Sequence, residues 1–207
     1  MTARRRLQGL VAFALVSLVG CATWTGPRPA QTGDEAAWQA RRAALQTVTH
    51  WSLNGRIAAT GLFGFSGRVR WQQRGEQFVI DVAGPFGAGA TRLSGSADQV
   101  EIRNAEGAWV TTDAQGDLQR AYGWTLPLAG LERWALGLPI PGQPARWVLD
   151  GNGRLLTLDQ AGWTVTYERY TQPVSGPALP QKLLIDNGET RWRLLVDRWQ
   201  LDQAAPA

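Results

Sequence analysis

Cys21, His50 and Lys182 are each the only residue of their kind in this 207-residue chain, and that scarcity decides much of the available chemistry. A zinc site needs three or four Cys/His ligands, which one of each does not supply. A nucleophilic triad needs a histidine base. His50 stands beside Trp51 where a helix should give way to a strand, a place that suits a structural or exposed imidazole. A phosphate-cradling loop needs Gly-Lys-Ser/Thr, and Lys182 lies between Gln181 and Leu183 instead. Asp150-Gly151-Asn152-Gly153 begins like a calcium loop, but Arg154 and Leu155 occupy later positions where a ligand and a glycine are required, so it reads as a turn. Paired carboxylates for glycoside hydrolysis are defined by distance in space rather than in sequence, which leaves a tethered cell-wall glycosidase as one alternative. Nothing calls for a cofactor, and the expectation is a protein that is not an enzyme.

Cys21 has a more specific use. Arg4, Arg5 and Arg6 form a positive leader, Leu7 to Leu18 an apolar run too short for a bilayer helix, and Leu18-Val19-Gly20-Cys21 has the form of a bacterial lipoprotein signal, in which the cysteine becomes the acylated first residue. Residues 1–20 are then a cleaved signal and residues 21–33 an anchor with a polar, Pro/Gly-rich tether. Removing the leader takes away three of 21 basic residues and none of the 17 acidic ones, so the net charge of +4 falls close to neutral. No remaining window clusters basic residues with aromatics, and nucleic acid is set aside as a partner. Several acyl chains, at about 0.8 kcal/mol per buried methylene, would hold such a chain on a membrane permanently.

Residues 34–207 carry the elements. Apolar residues alternate at Trp51/Leu53, Val69/Trp71, Phe78/Ile80/Val82, Val100/Ile102, Trp147/Leu149, Trp163/Val165/Tyr167, Leu183/Ile185 and Trp192/Leu194/Val196, the period of half-buried strands. Glycine-bearing turns separate them, with Asp186-Asn187-Gly188-Glu189 the strongest tight-hairpin signal because Asn and Gly both tolerate positive φ. Two segments depart from this period. Thr32 to Glu35 fits a capping box, with Trp38, Leu45 and Val48 as a helical stripe to about Thr49. Pro127 suits a first helical position, with Leu128, Leu131, Trp134, Ala135 and Leu138 recurring until Gly137 and Pro139. The fold class is mainly β: a single curled antiparallel sheet of about eleven strands forming an incomplete barrel, covered by helices.

Two features remain. Eleven tryptophans are several times ordinary usage. Trp51, Trp71, Trp134, Trp163 and Trp192, with Phe78, Ile80 and Leu131, either fill the core or line a cavity for an apolar ligand, since barrels of this size can hold interior space. A filled barrel would instead suit a structural or scaffolding lipoprotein. The other feature is Gly84-Pro85-Phe86-Gly87, where Pro85 fits the second and Gly87 the fourth position of a type I turn. Phe86 then either folds back as a plug or projects; a projecting Phe86 would gain roughly 1.5 to 3 kcal/mol on entering lipid.

With Cys21, the ordered series Leu53-Asn54-Gly55-Arg56, Val69-Arg70-Trp71-Gln72-Gln73, Gly84-Pro85-Phe86-Gly87, Leu126-Pro127-Leu128 and Trp134-Ala135-Leu136-Gly137-Leu138-Pro139 resembles the LolB family of outer-membrane lipoprotein receptors over nearly the whole mature length. The resemblance implies a half-barrel with a helical lid over an apolar cavity. It implies a monomer that accepts acylated lipoproteins, through their acyl chains, from the periplasmic carrier LolA and releases them into the outer membrane. The family's membrane-inserting loop residue, typically Leu, falls on Phe86, flanked by Pro85 and Gly87. Ala22 is not the Asp that marks inner-membrane retention in lipoproteins generally, which implies an outer-membrane anchor with the domain facing the periplasm.

Overall fold

Alternation of period two means that each strand can bury only one face, and the sheet must find something to bury it against. In the computed structural model, which describes residues 34–60, 64–123, 125, 128–172 and 176–201, the solution is one eleven-stranded antiparallel sheet that does not close. Helix α1 (Glu35–Gln46) leads into β1 (His50–Thr60), β2 (Phe65–Arg74), β3 (Gln77–Ala83), β4 (Thr91–Gly95), β5 (Val100–Asn104) and β6 (Gly107–Thr111). Helices α2 (Ala114–Tyr122) and α3 (Leu128–Leu136) follow. The chain then returns through β7 (Ala145–Leu149), β8 (Leu155–Gln160), β9 (Trp163–Tyr170), β10 (Pro180–Asp186) and β11 (Arg191–Leu201). The spatial order β6-β5-β4-β3-β2-β1-β11-β10-β9-β8-β7 is two meanders joined where the first and last strands pair. Gly55 sits at that seam: a Cβ there would lie 2.3 Å from the Leu195 carbonyl oxygen, beside a register shift between Asn54 and Gly55.

The expected strand number is met, but the alternation named only eight strands. β4, β6 and β8 escaped because β4 buries only Leu93 fully, β6 is a short edge strand with Val110 facing solvent, and β8 opens on the adjacent Leu155 and Leu156. Among the described residues three α-helices stand where two were expected. The missed one, α2, has a short stripe, with Ala114 and Leu118 buried four residues apart; its clearest signals are its ends, Asp113 accepting from the Gly116 amide at 3.0 Å and Gly123 in the left-handed region. The N-cap of α1 is Asp34, which accepts from the Ala37 amide at 2.9 Å, rather than Thr32; Thr32, like Pro127 and everything up to residue 33, lies outside the described residues. The α1 stripe itself is as read, with Trp38 and Leu45 buried. In the hairpin between β10 and β11 only Gly188 has positive φ; Asn187 works through its side chain, accepting from the Glu189 and Thr190 amides.

One end of the fold is packed solid. Trp38, Trp134, Leu155, Leu158, Val165 and Leu183 are wholly buried. Their polar neighbours are served by the buried Gln160, which accepts from the Trp134 indole (3.1 Å) and the Ile140 amide (2.8 Å) and donates to the Ile140 carbonyl (2.9 Å). Tyr167 donates to the Trp134 carbonyl at 3.1 Å, and burial pushes its phenol well above the ordinary range. Gly153 lets α1 approach: a Cβ there would stand 2.4 Å from the Trp38 amide nitrogen.

Candidate functional site: an apolar hollow and an exposed loop tip

β3 and β10 stand four strands apart, about 19 Å in a flat sheet. Yet Ile80 of β3 and Ile185 of β10 line the same cavity of about 260 Å³, which requires the sheet to curl around it. The inner faces of β1, β2 and β11 supply Ile57, Val69, Trp71, Trp192 and Leu194, and the helices close it with Leu118 from α2 and Leu131 from α3. Thr91 is the one hydroxyl in the lining among the described residues. Among the described residues no carboxylate, histidine or thiol lines it. The indole N–H groups are engaged as well: Trp71 donates to Gln73 Oε1 at 2.9 Å and Trp192 to the Thr125 carbonyl at 2.9 Å, the latter holding the α2–α3 linker to β11. Such a surface offers hydrocarbon contact and little else, which suits a greasy guest.

Of the eight residues singled out for a cavity, Trp71, Ile80, Leu131 and Trp192 meet here. Phe78 borders a neighbouring pocket of about 200 Å³ that shares Trp71, Ile80 and Leu131 and has a polar edge at Glu132 and Asp98. Burial pushes the Glu132 carboxyl above its ordinary range, and Glu76 adds to this while Arg133 opposes it. Trp51, Trp134 and Trp163 do not line the hollow. Trp51 is wedged between Trp71 and Trp199, with ring centroids 4.9 and 5.3 Å away, and Trp134 is tied to Gln160 in the solid end. Alternation gives the face a side chain points to but not whether the space opposite is filled, so packed and cavity-lining tryptophans look alike in sequence. Val69 and Leu194 were legible as inward positions; Leu93 and Leu118 were not, because β4 and α2 were not.

The loop after β3 leaves from the rim of the hollow, since Val82 before it and Gly89 and Thr91 after it are lining residues. Phe86 does not fold back; its relative exposure is 110%. The Gly84 carbonyl accepts from the Gly87 amide at 3.1 Å, so the four-residue turn is present, but Phe86 has φ 57° and ψ 21°. A left-handed third position marks a type II turn and replaces the type I geometry expected from the sequence. Glycine or asparagine is the ordinary occupant of such a position, and a phenylalanine there costs on the order of 1 kcal/mol. A strained, fully exposed aromatic ring thus stands on the loop whose two ends enter the lining of the hollow.

Other candidates resolve as local structure. His50 is exposed, with Nδ1 3.0 Å from the Thr49 hydroxyl. Asp150 accepts from the Asn152 and Arg154 amides at 2.9 Å and from the Arg154 side chain, so its carboxylate is committed to the turn; burial opposes its ionisation, but those hydrogen bonds prevail and hold it below the usual range. Cys21 lies outside the described residues. Among the described residues no helix is long and apolar enough to cross a membrane.

A sequence model of the family described as outer membrane lipoprotein LolB matches residues 49–199. The chain belongs to the LolB family. Similar curated relatives, each named outer-membrane lipoprotein LolB, come from Nitrosococcus oceani (38% identical, covering 93% of this chain and 96% of the relative) and Chromohalobacter salexigens (37%, 93% and 89%). Another is from Pseudomonas putida (36%, 94% and 96%). Among solved structures, a LolA superfamily protein from Nitrosomonas europaea superposes with a TM-score of 0.53 at 8% identity over 84% of this chain and 96% of that one, a likeness of fold. Within the LolB family frame, the half-open sheet is a fold shared with proteins of the LolA superfamily.

Proposed function

We propose that this LolB-family chain is a lipoprotein receptor anchored through acylated Cys21 in the outer membrane. It takes the acyl chains of lipoproteins from the soluble carrier LolA into the hollow and passes them to the membrane. The observation that carries this reading is the hollow: an interior space lined by apolar side chains, with its indole donors occupied elsewhere, and with both ends of the loop that bears the exposed Phe86 in its lining. There is no nucleotide loop in the chain, so cargo must move downhill through differential affinity, from a weaker pocket to a stronger one and then to the bilayer. At about 260 Å³ the hollow lies just under the range of about 300 to 1,000 Å³ usual for small-molecule sites. Admission of whole acyl chains therefore requires α2 and α3 to move, and the Trp192 to Thr125 hydrogen bond is the contact that must give. The anchor keeps the release step local to its target leaflet. Phe86 is the tip that meets that leaflet, with Pro85 and Gly87 setting its turn.

The test is Phe86→Glu in a two-stage assay with purified acylated cargo. Acceptance from the carrier is expected to stay near normal while recovery of cargo in liposomes falls; unchanged recovery would remove Phe86 from the mechanism, and failure of acceptance by the unsubstituted chain would remove the reading itself. A scaffolding role would require no saturable uptake of an apolar probe, and a glycosidase would clear peptidoglycan in a zymogram.

A further inference from the structure

The near-neutral charge of the mature chain conceals an uneven distribution. On the outer face of the sheet, strand pairing places Arg198, Asn54, Arg70, Asp81, Arg92 and Arg103 in one row across β11-β1-β2-β3-β4-β5. Arg56 faces Arg68 in the next row, and Arg193 lies beside Ala58 in the row after that, towards the Phe86 loop. The acids on this face are already taken: Asp197 by Arg56 (3.0 Å), Asp81 by Arg92 (2.6 Å) and Glu101 by Arg103 (2.6 Å). Arg68, Arg70, Arg193 and Arg198 are exposed, and among the described residues none of them pairs with an acid. Like charges set opposite each other on a sheet destabilise it; Asp197 offsets the charge of Arg56, but among the described residues no acid offsets that of Arg68. Arg68 and Arg70 lie on β2 and Arg193 and Arg198 on β11, at opposite ends of the chain, and only the pairing of both strands with β1 brings them onto one face.

Three of them, Arg56, Arg68 and Arg193, line a groove of about 860 Å³ whose other wall is the Phe86 loop. From this juxtaposition we infer that the outer face of β11-β1-β2 docks on anionic phospholipid headgroups, its guanidinium groups meeting lipid phosphates while Phe86 enters the hydrocarbon boundary. A lipid surface offers phosphate and hydrocarbon within one side chain's reach, as this groove asks; an acidic protein face supplies carboxylate charge without a hydrocarbon layer behind it. A twelve-residue tether, residues 22–33, spans at most about 40 Å, so an anchored domain stays within reach of the leaflet. The inference rests on the anchored-receptor reading above, and it adds that the domain has a fixed orientation on the membrane, with the mouth of the hollow beside the bilayer.

The test uses the full acylated chain carrying a fluorophore at Ser66→Cys, an exposed position on the same face, reconstituted in vesicles with a nitroxide-headgroup quencher. Quenching is expected to be greater on phosphatidylcholine vesicles containing phosphatidylglycerol than on phosphatidylcholine alone, and to fall in 0.5 M salt. Arg68→Gln and Arg193→Gln should each lower the docked-to-undocked ratio about five-fold. Equal quenching on both vesicle types, or no response to either substitution, overturns the inference. So does protection of the label by the soluble carrier on neutral vesicles with none from anionic lipid, which assigns the face to a protein partner. Saturable uptake of an apolar probe, read in parallel, reports on the hollow alone, so a failed docking experiment with intact uptake leaves the receptor reading standing.

Discussion

The two ends of this sheet follow the same alternation and differ in what covers them. Over β7 to β10, α1 and α3 bring Trp38, Leu45, Trp134 and Leu136, and the space is filled to the point that these side chains have no exposure at all. Over β1 to β4 the helical cover in the lining, among the described residues, is Leu118 of α2 and Leu131 of α3. Too little side-chain volume meets too large a concave face, and a hollow is the result. Protein interiors ordinarily close such space, so a hollow that persists between packed walls is a feature of the sequence that covers it.

That contrast can be broken by substitution, and the largest effect belongs to the solid end. Trp134→Ala removes a wholly buried ring and orphans Gln160, and should cost about 3 to 5 kcal/mol in urea unfolding. Leu131→Ala, which trims a residue already facing open space, should fall below about 2 kcal/mol, under the usual range for a buried leucine. Equal costs at the two sites would mean that the hollow closes in solution. Leu118→Trp fills the hollow from the α2 side. It should lower apolar-probe affinity at least about ten-fold while stability changes by under about 1 kcal/mol, against the 1 to 3 kcal/mol that overpacking costs in a filled core.

The site itself was legible in part, and the reasons divide along the same line. Inward positions such as Trp71, Ile80 and Trp192 follow from period two, and α3 from steps of three and four closed by Gly137, whose φ is 77°. The emptiness opposite them depends on α2, whose stripe, Ala114 and Leu118, is too short to stand out in the sequence. The projecting Phe86 could be placed on a turn but not aimed, because a proline at the second position serves type I and type II turns alike. The arginine face was hidden because it joins β1 and β2 to β11 at the other end of the chain, and strand pairing rather than sequence spacing brings their arginines onto one face.

Smaller effects sharpen the contrast at its edge. Phe86→Gly should leave stability unchanged or raise it by up to about 1 kcal/mol, because glycine relieves the left-handed strain but loses more chain entropy on folding, while cargo delivery falls. A destabilised glycine variant would mean that the ring packs on the body. The smallest change concerns Glu132. Its folded-state pKa is raised, chiefly by burial, so the stability it contributes is present below the ordinary glutamate range and is lost as pH rises through the raised value. Glu132→Gln should therefore raise Tm slightly at pH 7 and leave it unchanged at pH 3.5; a lowered Tm at neutral pH would contradict the assignment.

The most direct measurement places a photoreactive side chain at Ile80 or Leu131 in the hollow, and at Leu158 in the solid end, and illuminates each anchored protein during transfer of acylated cargo. Crosslinks to the cargo's acyl chains from Ile80 and Leu131 but not from Leu158 are the predicted result. Crosslinks from neither hollow position, with transfer proceeding normally, would contradict the account.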